Sequence, residues 1–331
     1  MINEQQVGHL CTLSDLPPTV DAQQVLLLIT EAPDPETATR QVLEQMNSHS
    51  DVLKRKWRQT IFQIWSHKHP RVPKLPDLRL ASEEVATVPF LKDALAYLEQ
   101  IASQPAMLQK EKNERLLVSE DIQRLYSALP STQGKQTWEV ENEWSYTHLR
   151  RLRATLQALR LVRPVKDTLI ISRTRYDRFL RFPTTQQFYL LWHTDAYHTS
   201  WSAFSGMWGD YIQLIQDNTT LLWDLHETVH PNEEESFNNW TKDIIEAFSS
   251  LWHDTGLLEV GNGRFAWLKL LRQYSIAPAL QRVILQDLFE QHGLIEQPDS
   301  LLTERFVWTK RGAAVLKAER TQNLPCSLKM V

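Results

Sequence analysis

Three stretches of the chain share one order of predicted elements: an apolar helix, a short strand, a turn and a second strand. In each stretch a leucine of the last helical turn lies six residues before the start of the strand: Leu156 before Val162, Leu251 before Leu257, and Leu288 before Leu294. The spacing between the stretches is unequal, which excludes a solenoid built from a fixed repeat. The sequence therefore predicts one supersecondary unit that is used more than once.

Helices followed by a two-stranded hairpin are the order of the winged-helix motif, a relative of helix-turn-helix. The middle of the chain fits this order best. Its predicted helices lie near 90–102, 119–128 and 145–159, and its predicted wing covers 161–172, with a turn at Lys166–Asp167.

The C-terminal part predicts a second winged helix. Its helices lie near 236–254 and 277–292, and its wing covers 294–308. A further hairpin is predicted over 257–268, because Gly261-Asn262-Gly263 is typical of a tight turn. This hairpin is either an insertion or the wing of another, shorter unit. The predicted fold class is mainly α, with tandem winged-helix units that carry short two-stranded β-wings; the alternative is a helical domain with incidental hairpins.

Glycine is scarce, at 9 of 331 residues, which favours helices over all-β or dinucleotide-binding folds that need glycine at their turns. Two cysteines, Cys11 and Cys326, are too few for a disulfide framework, and the alternative of one disulfide between them stays open. The longest early apolar run, Val25–Ile29, is too short for a signal sequence or a membrane span. We therefore predict a cytoplasmic protein with no membrane association.

Four regions are predicted along the chain. They are a small N-terminal helical region at 1–67, a Pro-rich linker at 68–88, the middle winged-helix unit at 89–183, and a Trp-rich helical region with the C-terminal winged helix at 184–331. Prolines at 70, 73 and 76 make the linker incompatible with a helix.

Positive charge is concentrated in the middle region, although the net charge is −4. Ten basic residues lie between Ser145 and Arg181, against two acids. The candidate DNA contacts are Arg150, Arg151 and Arg153 on the third predicted helix, which enters the major groove in this motif class, and Arg160, Arg163, Lys166, Arg173 and Arg175 on or beside the wing. Arg150 and Arg153 are expected on an exposed helix face, opposite a buried row of leucines. Several long cations on one surface suit phosphate binding.

A second basic run precedes the linker and includes Lys54, Arg55 and Arg58. Together the two basic regions are predicted to clamp a duplex. The alternative is that these cations are solvated, or that they pair with the acidic stretch 207–260, within the molecule or between copies. That stretch has eleven acids and one Lys.

Tryptophan is abundant, and six of the twelve lie between Trp192 and Trp252. Such residues can stack on bases of a single strand. We favour a role in the core, because Trp buries a large apolar area.

The sequence His226-Glu227-Thr228-Val229-His230 matches H-E-x-x-H, in which two histidines one helical turn apart bind zinc. Pro231 follows the second histidine directly and disfavours helical geometry there. A zinc metallopeptidase using His226 and His230 is therefore a remote alternative. No catalytic residue, cofactor or small-molecule substrate is predicted.

A family resemblance is carried by the segments FPTTQQFYLLW, WSAFSGMW, LLWDLH and FNNWTKDI, followed by a wing that ends in FVWTKRGAAVL. The pattern resembles bacterial tandem winged-helix proteins, which include passenger proteins of plasmids and transposons and the N-terminal regions of some XPB-type helicases. In that family the wing closes with a Thr-x-x-Gly turn, here Thr309 to Gly312. The resemblance covers about 87–320. It implies the fold and nucleic-acid association, but no catalytic residues.

The predicted function is non-enzymatic binding of nucleic acid, with duplex DNA contacted by the Arg-rich helix and the wing of the middle unit. The protein would be an accessory of a larger assembly or of a mobile-element or defence system. The main alternative is a protein–protein adaptor that docks or self-associates through its winged helices.

Overall fold

The computed structural model describes residues 16, 20–32, 35–47, 57, 60, 61, 64, 78–111, 114–133, 142–254, 276–297 and 304–321. The chain separates into two compact units. The smaller contains the described residues of 1–76, Asp217–Asp224 and the described residues from Ala318 onward; the larger contains those of 77–216 and 225–317. The predicted division into four regions stays a prediction. The predicted hairpin at 257–268 lies outside the described residues.

The smaller unit has its own apolar core. Helix α1 (Ala22–Glu31) begins after Asp21, whose carboxylate accepts a hydrogen bond from the backbone N–H of Gln23 at 2.9 Å. Helix α2 (Pro35–Gln45) begins at a proline, which is favoured at the first position of a helix. Apolar side chains of both helices pack with those of Trp57 and Ile61.

The larger unit opens with helices and strands whose bounds are α3 (Ser82–Ala86), α4 (Pro89–Ser103), β1 (Ala106–Glu111), β2 (Glu114–Leu117), α5 (Ser119–Ala128), α6 (Thr147–Ala158), β3 (Val162–Val165) and β4 (Thr168–Ile171). The three helices predicted for the middle unit correspond to α4, α5 and α6, with ends that agree to within two residues. The predicted wing corresponds to β3 and β4, and its turn at Lys166–Asp167 is confirmed.

The first sheet is antiparallel, with the strand order β2-β1-β4-β3. Ala106 of β1 pairs with Leu169 of β4, and Val162 of β3 pairs with Ile171. The hairpin formed by β1 and β2 was not predicted. This hairpin lies between α4 and α5 in the chain, and its strand β1 pairs with β4 of the predicted wing.

Three further helices follow, α7 (Arg173–Arg181), α8 (Thr184–Tyr197) and α9 (Gly209–Asp217), and then α10 (Thr219–Leu225). Helix α8 is buried on every side from Gln187 to Ala196. Five of the six tryptophans between 192 and 252 are buried: Trp192, Trp201, Trp223, Trp240 and Trp252. This confirms their interpretation as core residues.

The C-terminal elements are β5 (Glu234–Ser236), α11 (Phe237–Asp254), α12 (Ile276–Leu280), which continues as a π-helix π1 (Gln281–Glu290), β6 (Ile295–Glu296), β7 (Arg305–Trp308) and α13 (Lys310–Thr321). The second sheet has the order β5-β7-β6. In both sheets a strand that precedes two helical segments pairs with the second strand of the later hairpin. The two sheets share this one feature of strand pairing, and the prediction that one unit is used more than once stays a prediction.

The predicted Thr-x-x-Gly turn closes the second sheet. Thr309 Oγ1 accepts a hydrogen bond from the N–H of Gly312 at 3.0 Å and donates to the carbonyl oxygen of Gly293 at 2.7 Å. A Cβ atom at Gly312 would overlap the carbonyl oxygen of Leu294. Glycine is therefore required where α13 passes β6.

A buried ionic cluster connects α6 and α8 with the end of π1; we call Arg151, Thr155, Asp195 and His292 the Asp195 cluster. Arg151 Nε donates to both carboxylate oxygens of Asp195 at 3.0 Å, and Thr155 Oγ1 donates at 3.2 Å. His292 Nε2 lies 3.0 Å from Asp195 Oδ2. All four side chains are at most 1% exposed.

The charges in this cluster are fixed by burial and pairing. Burial alone would raise the pKa of Asp195, but Arg151 and the hydrogen bond from His292 outweigh it, so the pKa of Asp195 is lowered. Burial lowers the pKa of His292. Asp195 is thus ionised and His292 neutral, with the proton on Nε2 where it can donate to the carboxylate.

Helix π1 packs along α6 through two further hydrogen bonds. Arg151 Nη1 donates to the carbonyl oxygen of Val283 at 3.1 Å, and Arg282 Nη2 donates to Thr147 Oγ1 at 2.9 Å. The ring of His292 stacks on Phe90 of α4, with a centroid distance of 4.2 Å. The helices that precede the two predicted wings therefore cover one another.

The fold is mainly helical with small antiparallel sheets, as predicted. Among the described residues, no helix combines the length and the apolar character that crossing a bilayer requires.

We predict that Asp195→Asn lowers the free energy of unfolding by about 3–5 kcal/mol, because it leaves the Arg151 guanidinium buried without a counter-charge. The control is Asp177→Asn, since Asp177 pairs with Arg173 at 3.6 Å on the surface, and such pairs contribute about 0–1 kcal/mol. Urea unfolding monitored by circular dichroism measures both. Equal, small losses in the two variants would contradict the structural role of the cluster.

Candidate nucleic-acid interface

Two of the predicted phosphate-binding arginines point into the protein. Arg151 belongs to the Asp195 cluster and is 1% exposed. Arg153 is 8% exposed, and its Nε donates to Glu143 Oε1 at 2.6 Å. The predicted exposure of Arg153 beside Arg150 is therefore wrong, because Glu143 is fully buried and holds it. In this structure the Arg151 guanidinium is closed to a phosphate, and that of Arg153 is paired with Glu143.

Arg150 lies at the edge of a cleft. Its guanidinium stacks on Trp144, 3.7 Å from the ring centroid, and its Nη1 donates to the carbonyl oxygen of Ala203 at 3.1 Å. Its Nη2 lies 3.4 Å from the carboxylate of Glu114. Burial lowers the pKa of Arg150, and Glu114 opposes that effect. Arg150 is thus half-buried but retains donors that face the cleft.

Most of the remaining predicted cations are exposed. Arg160, Arg163, Lys166 and Arg173 are exposed, and so are Arg178 and Arg181 of α7, which were not among the predicted contacts; we call these six residues the basic strip. Of the other predicted residues, Arg175 is half-buried, and Lys54, Arg55 and Arg58 lie outside the described residues. The basic strip follows the wing and continues onto α7.

The hairpin geometry positions the first members of the strip. Arg160 and Lys166 both have positive φ, 56° and 53°, one just before β3 and the other at the turn. The N–H of Ser172 donates to the carbonyl oxygen of Leu161 at 2.8 Å, which places Arg173 beside the base of the hairpin, near Arg160. Arg115 of β2 donates its Nη1 to the carbonyl oxygen of Lys166 at 2.6 Å and so fixes the turn.

A cleft of about 340 Å³ lies over the outward face of α6, and we call it the α6 cleft. Its lining residues are Leu108, Glu114, Arg115, Arg150, Arg153, Ala154, Gln157, Pro164, Ser200, Ala203 and Phe204. The helix face predicted to enter a groove of DNA is therefore the floor of a depression between the β1–β2 hairpin, the wing and the segment 200–204.

Neither the β1–β2 hairpin nor the segment 200–204 was assigned to the site from the sequence. The hairpin does have a signal, since buried Ala106 and Leu108 alternate with exposed Met107 and Gln109, the period of a strand with one buried face. The segment 200–204 is polar and small apart from Trp201 and Phe204, and local sequence does not indicate where it packs.

Two of the acids of 207–260 have partners in the second sheet. Glu234 pairs with Arg305 at 3.2 Å, and Glu235 accepts a hydrogen bond from the indole N–H of Trp308 at 2.9 Å. Burial raises the pKa of Glu235, against the effect of that hydrogen bond. These contacts give two of the acids a role in the C-terminal sheet.

The H-E-x-x-H sequence does not form a zinc site here. Helix α10 ends at Leu225, before the motif, so the two histidines do not share a helix face. His226 is buried, and its Nε2 accepts a hydrogen bond from the indole N–H of Trp240 at 2.8 Å, whereas His230 is exposed. In the part of the chain that the structure describes, no group of three His, Cys, Asp or Glu side chains is arranged to hold a metal ion.

Comparisons with protein-family models, with curated proteins and with solved structures give no match to this chain. The family resemblance predicted from the sequence stays a prediction.

We predict that Arg153→Ala destabilises the fold, because Glu143, whose Oε2 also accepts from the N–H of Leu117 at 2.9 Å, would lose its counter-charge. The expected loss is about 3–5 kcal/mol. Arg163→Ala, at an exposed position, should change stability by at most about 0.5 kcal/mol. Thermal and urea unfolding compare the two, and a stable Arg153→Ala protein would restore this residue as a candidate for ligand binding.

Proposed function

We propose that this protein is a tandem winged-helix protein that binds duplex DNA without enzymatic activity and contacts phosphates through the basic strip. The observation that carries the proposal is the exposure of that strip on a hairpin and the helix that follows it. Seven cations lie between Arg160 and Arg181, against two carboxylates. Such a surface releases counterions when it meets the phosphate backbone.

The topology supports the winged-helix part of the proposal. Among the described residues, α5 and α6 precede the hairpin β3–β4, and α11 and α12–π1 precede the hairpin β6–β7. In both hairpins the second strand pairs with an earlier strand, β1 or β5. The DNA contact differs from the usual mode, because α6 is covered by π1 and by the walls of its cleft. Phosphate contacts from the wing and α7 position a protein on DNA but read no base sequence. We therefore propose binding with little sequence preference.

We place the protein as an accessory of a larger assembly, in a mobile-element or defence system. This placement rests on the resemblance to passenger proteins of plasmids and transposons.

We predict that duplex affinity falls steeply as salt concentration rises, and that Arg163→Ala with Lys166→Ala makes the dependence shallower. The slope of log K against log salt should fall in magnitude by about 0.9 for each phosphate that the variant no longer neutralises. Fluorescence anisotropy with a blunt labelled duplex measures the slope for both proteins.

The matched control is Lys92→Ala with Lys242→Ala, which also removes two exposed cations but from α4 and α11. Its slope should equal that of the unaltered protein. Absence of duplex binding at low salt, or equal slopes in all three proteins, would contradict the proposal.

The second candidate function is a protein–protein adaptor. The observation that favours it is the burial of Arg151 and Arg153, which removes two cations from the helix expected to read DNA. Exposed Leu180, 45% accessible, lies among the arginines of α7 and would suit a protein contact. A defined homodimer in light scattering, together with duplex binding no stronger than the double variant's, would favour the adaptor.

A further inference from the structure

The α6 cleft has the size of a small-ligand site rather than of a duplex groove. Pockets that enclose small molecules have volumes of about 300–1,000 Å³, and this one measures about 340 Å³. Its lining includes Ala154 and Gln157 of α6, with Arg150 of the same helix at its edge and Pro164 of the wing in its wall. The cleft therefore adjoins the basic strip at the wing, where Pro164 follows Arg163.

Cationic donors lie on one side of this cleft. Arg150 uses one donor on Ala203 and offers another to Glu114 across 3.4 Å, a long and weak contact. Arg115 donates from one nitrogen to the turn carbonyl of Lys166, and the residue is part of the cleft lining. A guanidinium offers five N–H groups in a planar fork that matches phosphate oxygens.

Apolar and amide groups complete the lining. Leu108, Pro164 and Phe204 give apolar surface, with the Phe204 ring 5.4 Å from the Arg150 guanidinium. Gln157 is half-exposed, and its side-chain amide makes no hydrogen bond with the described residues. Proteins bind single-stranded nucleic acid by stacking bases on aromatic rings while nearby cations contact the phosphates. A side-chain amide can form hydrogen bonds with a base edge.

We propose that the α6 cleft binds one unpaired nucleotide, so that the protein prefers a duplex with a single-stranded extension over a blunt duplex. This rests on the proposed function for the duplex part. The phosphate lies against Arg150 and Arg115, and the base lies against Phe204 within reach of Gln157.

Glu114 occupies the position that the phosphate would take. It is 48% exposed, and it is held only by its long contact with Arg150 among the described residues. An incoming phosphate must displace it. Removing its charge should therefore strengthen binding of the extended duplex, and unfolding cannot produce such a gain.

The test uses the full chain and anisotropy measurements on three labelled DNAs: a blunt duplex, the same duplex with a short thymidine overhang, and the overhang strand alone. The unaltered protein should prefer the overhang duplex about five- to tenfold, the order expected for stacking of one base. Phe204→Leu should abolish this preference and leave blunt-duplex affinity unchanged.

Glu114→Gln should raise the affinity for the overhang duplex about two- to fivefold, as expected for the loss of one exposed ion-pair partner. The matched control is Glu111→Gln on the same hairpin, which lies outside the cleft lining and should have no more than a small effect on both duplexes. A gain for Glu114→Gln alone, confined to DNAs with unpaired nucleotides, supports the inference.

The outcomes separate this inference from the proposed function. Equal binding of blunt and overhang duplexes, unaffected by Phe204→Leu and Glu114→Gln, overturns the cleft inference and leaves the basic strip as the interface. Binding of the overhang strand that depends on Phe204, without any blunt-duplex binding, supports the cleft and overturns the proposed duplex contact. No binding of any of the three DNAs overturns both.

Discussion

The ion pair between Arg151 and Asp195 is the constraint on which the larger compact unit depends. Both groups are buried and charged, so each is stable in the interior only while the other is present. Their partners come from α6, α8 and the end of π1, since His292 and the carbonyl of Val283 complete the cluster. The chain segments of the two predicted winged helices are therefore held together by one polar centre rather than by apolar packing alone.

This centre decides which arginines remain for a ligand. The guanidinium of Arg151 pairs with Asp195, and that of Arg153 pairs with Glu143. The cations left at the surface are those of the wing and α7, together with Arg150 at the rim of a cleft. Helix α6, which was predicted to enter a groove of DNA, instead lines the α6 cleft.

The periodicity of apolar residues was sufficient to predict the elements that bury a single face. The leucines of α6 at 149, 152 and 156 are buried as expected, and the hairpin turn at Lys166–Asp167 is where its residues indicated. The same periodicity could not show that a second face of α6 is covered, because Asp195 and Val283 come from distant positions along the chain and Glu143 lies ahead of the helix, outside its repeat. An arginine is expected to be exposed, and only the position of a buried carboxylate partner such as Asp195 or Glu143 changes that expectation. Strand β1 has an alternating apolar pattern, but the pattern is too short to predict a strand between two clearly helical segments.

The described arginines between 150 and 181 include a buried, ion-paired set, Arg151 and Arg153, and an exposed set that we propose contacts DNA. Phenylglyoxal modification of the native protein, read by mass spectrometry with and without duplex DNA, tests this division most directly. We expect Arg160, Arg163, Arg173, Arg178 and Arg181 to react rapidly and to be protected by DNA, while Arg151 and Arg153 stay unmodified until the protein unfolds. Rapid modification of Arg151 or Arg153 in the native protein, with DNA protecting them instead of the basic strip, would contradict this division.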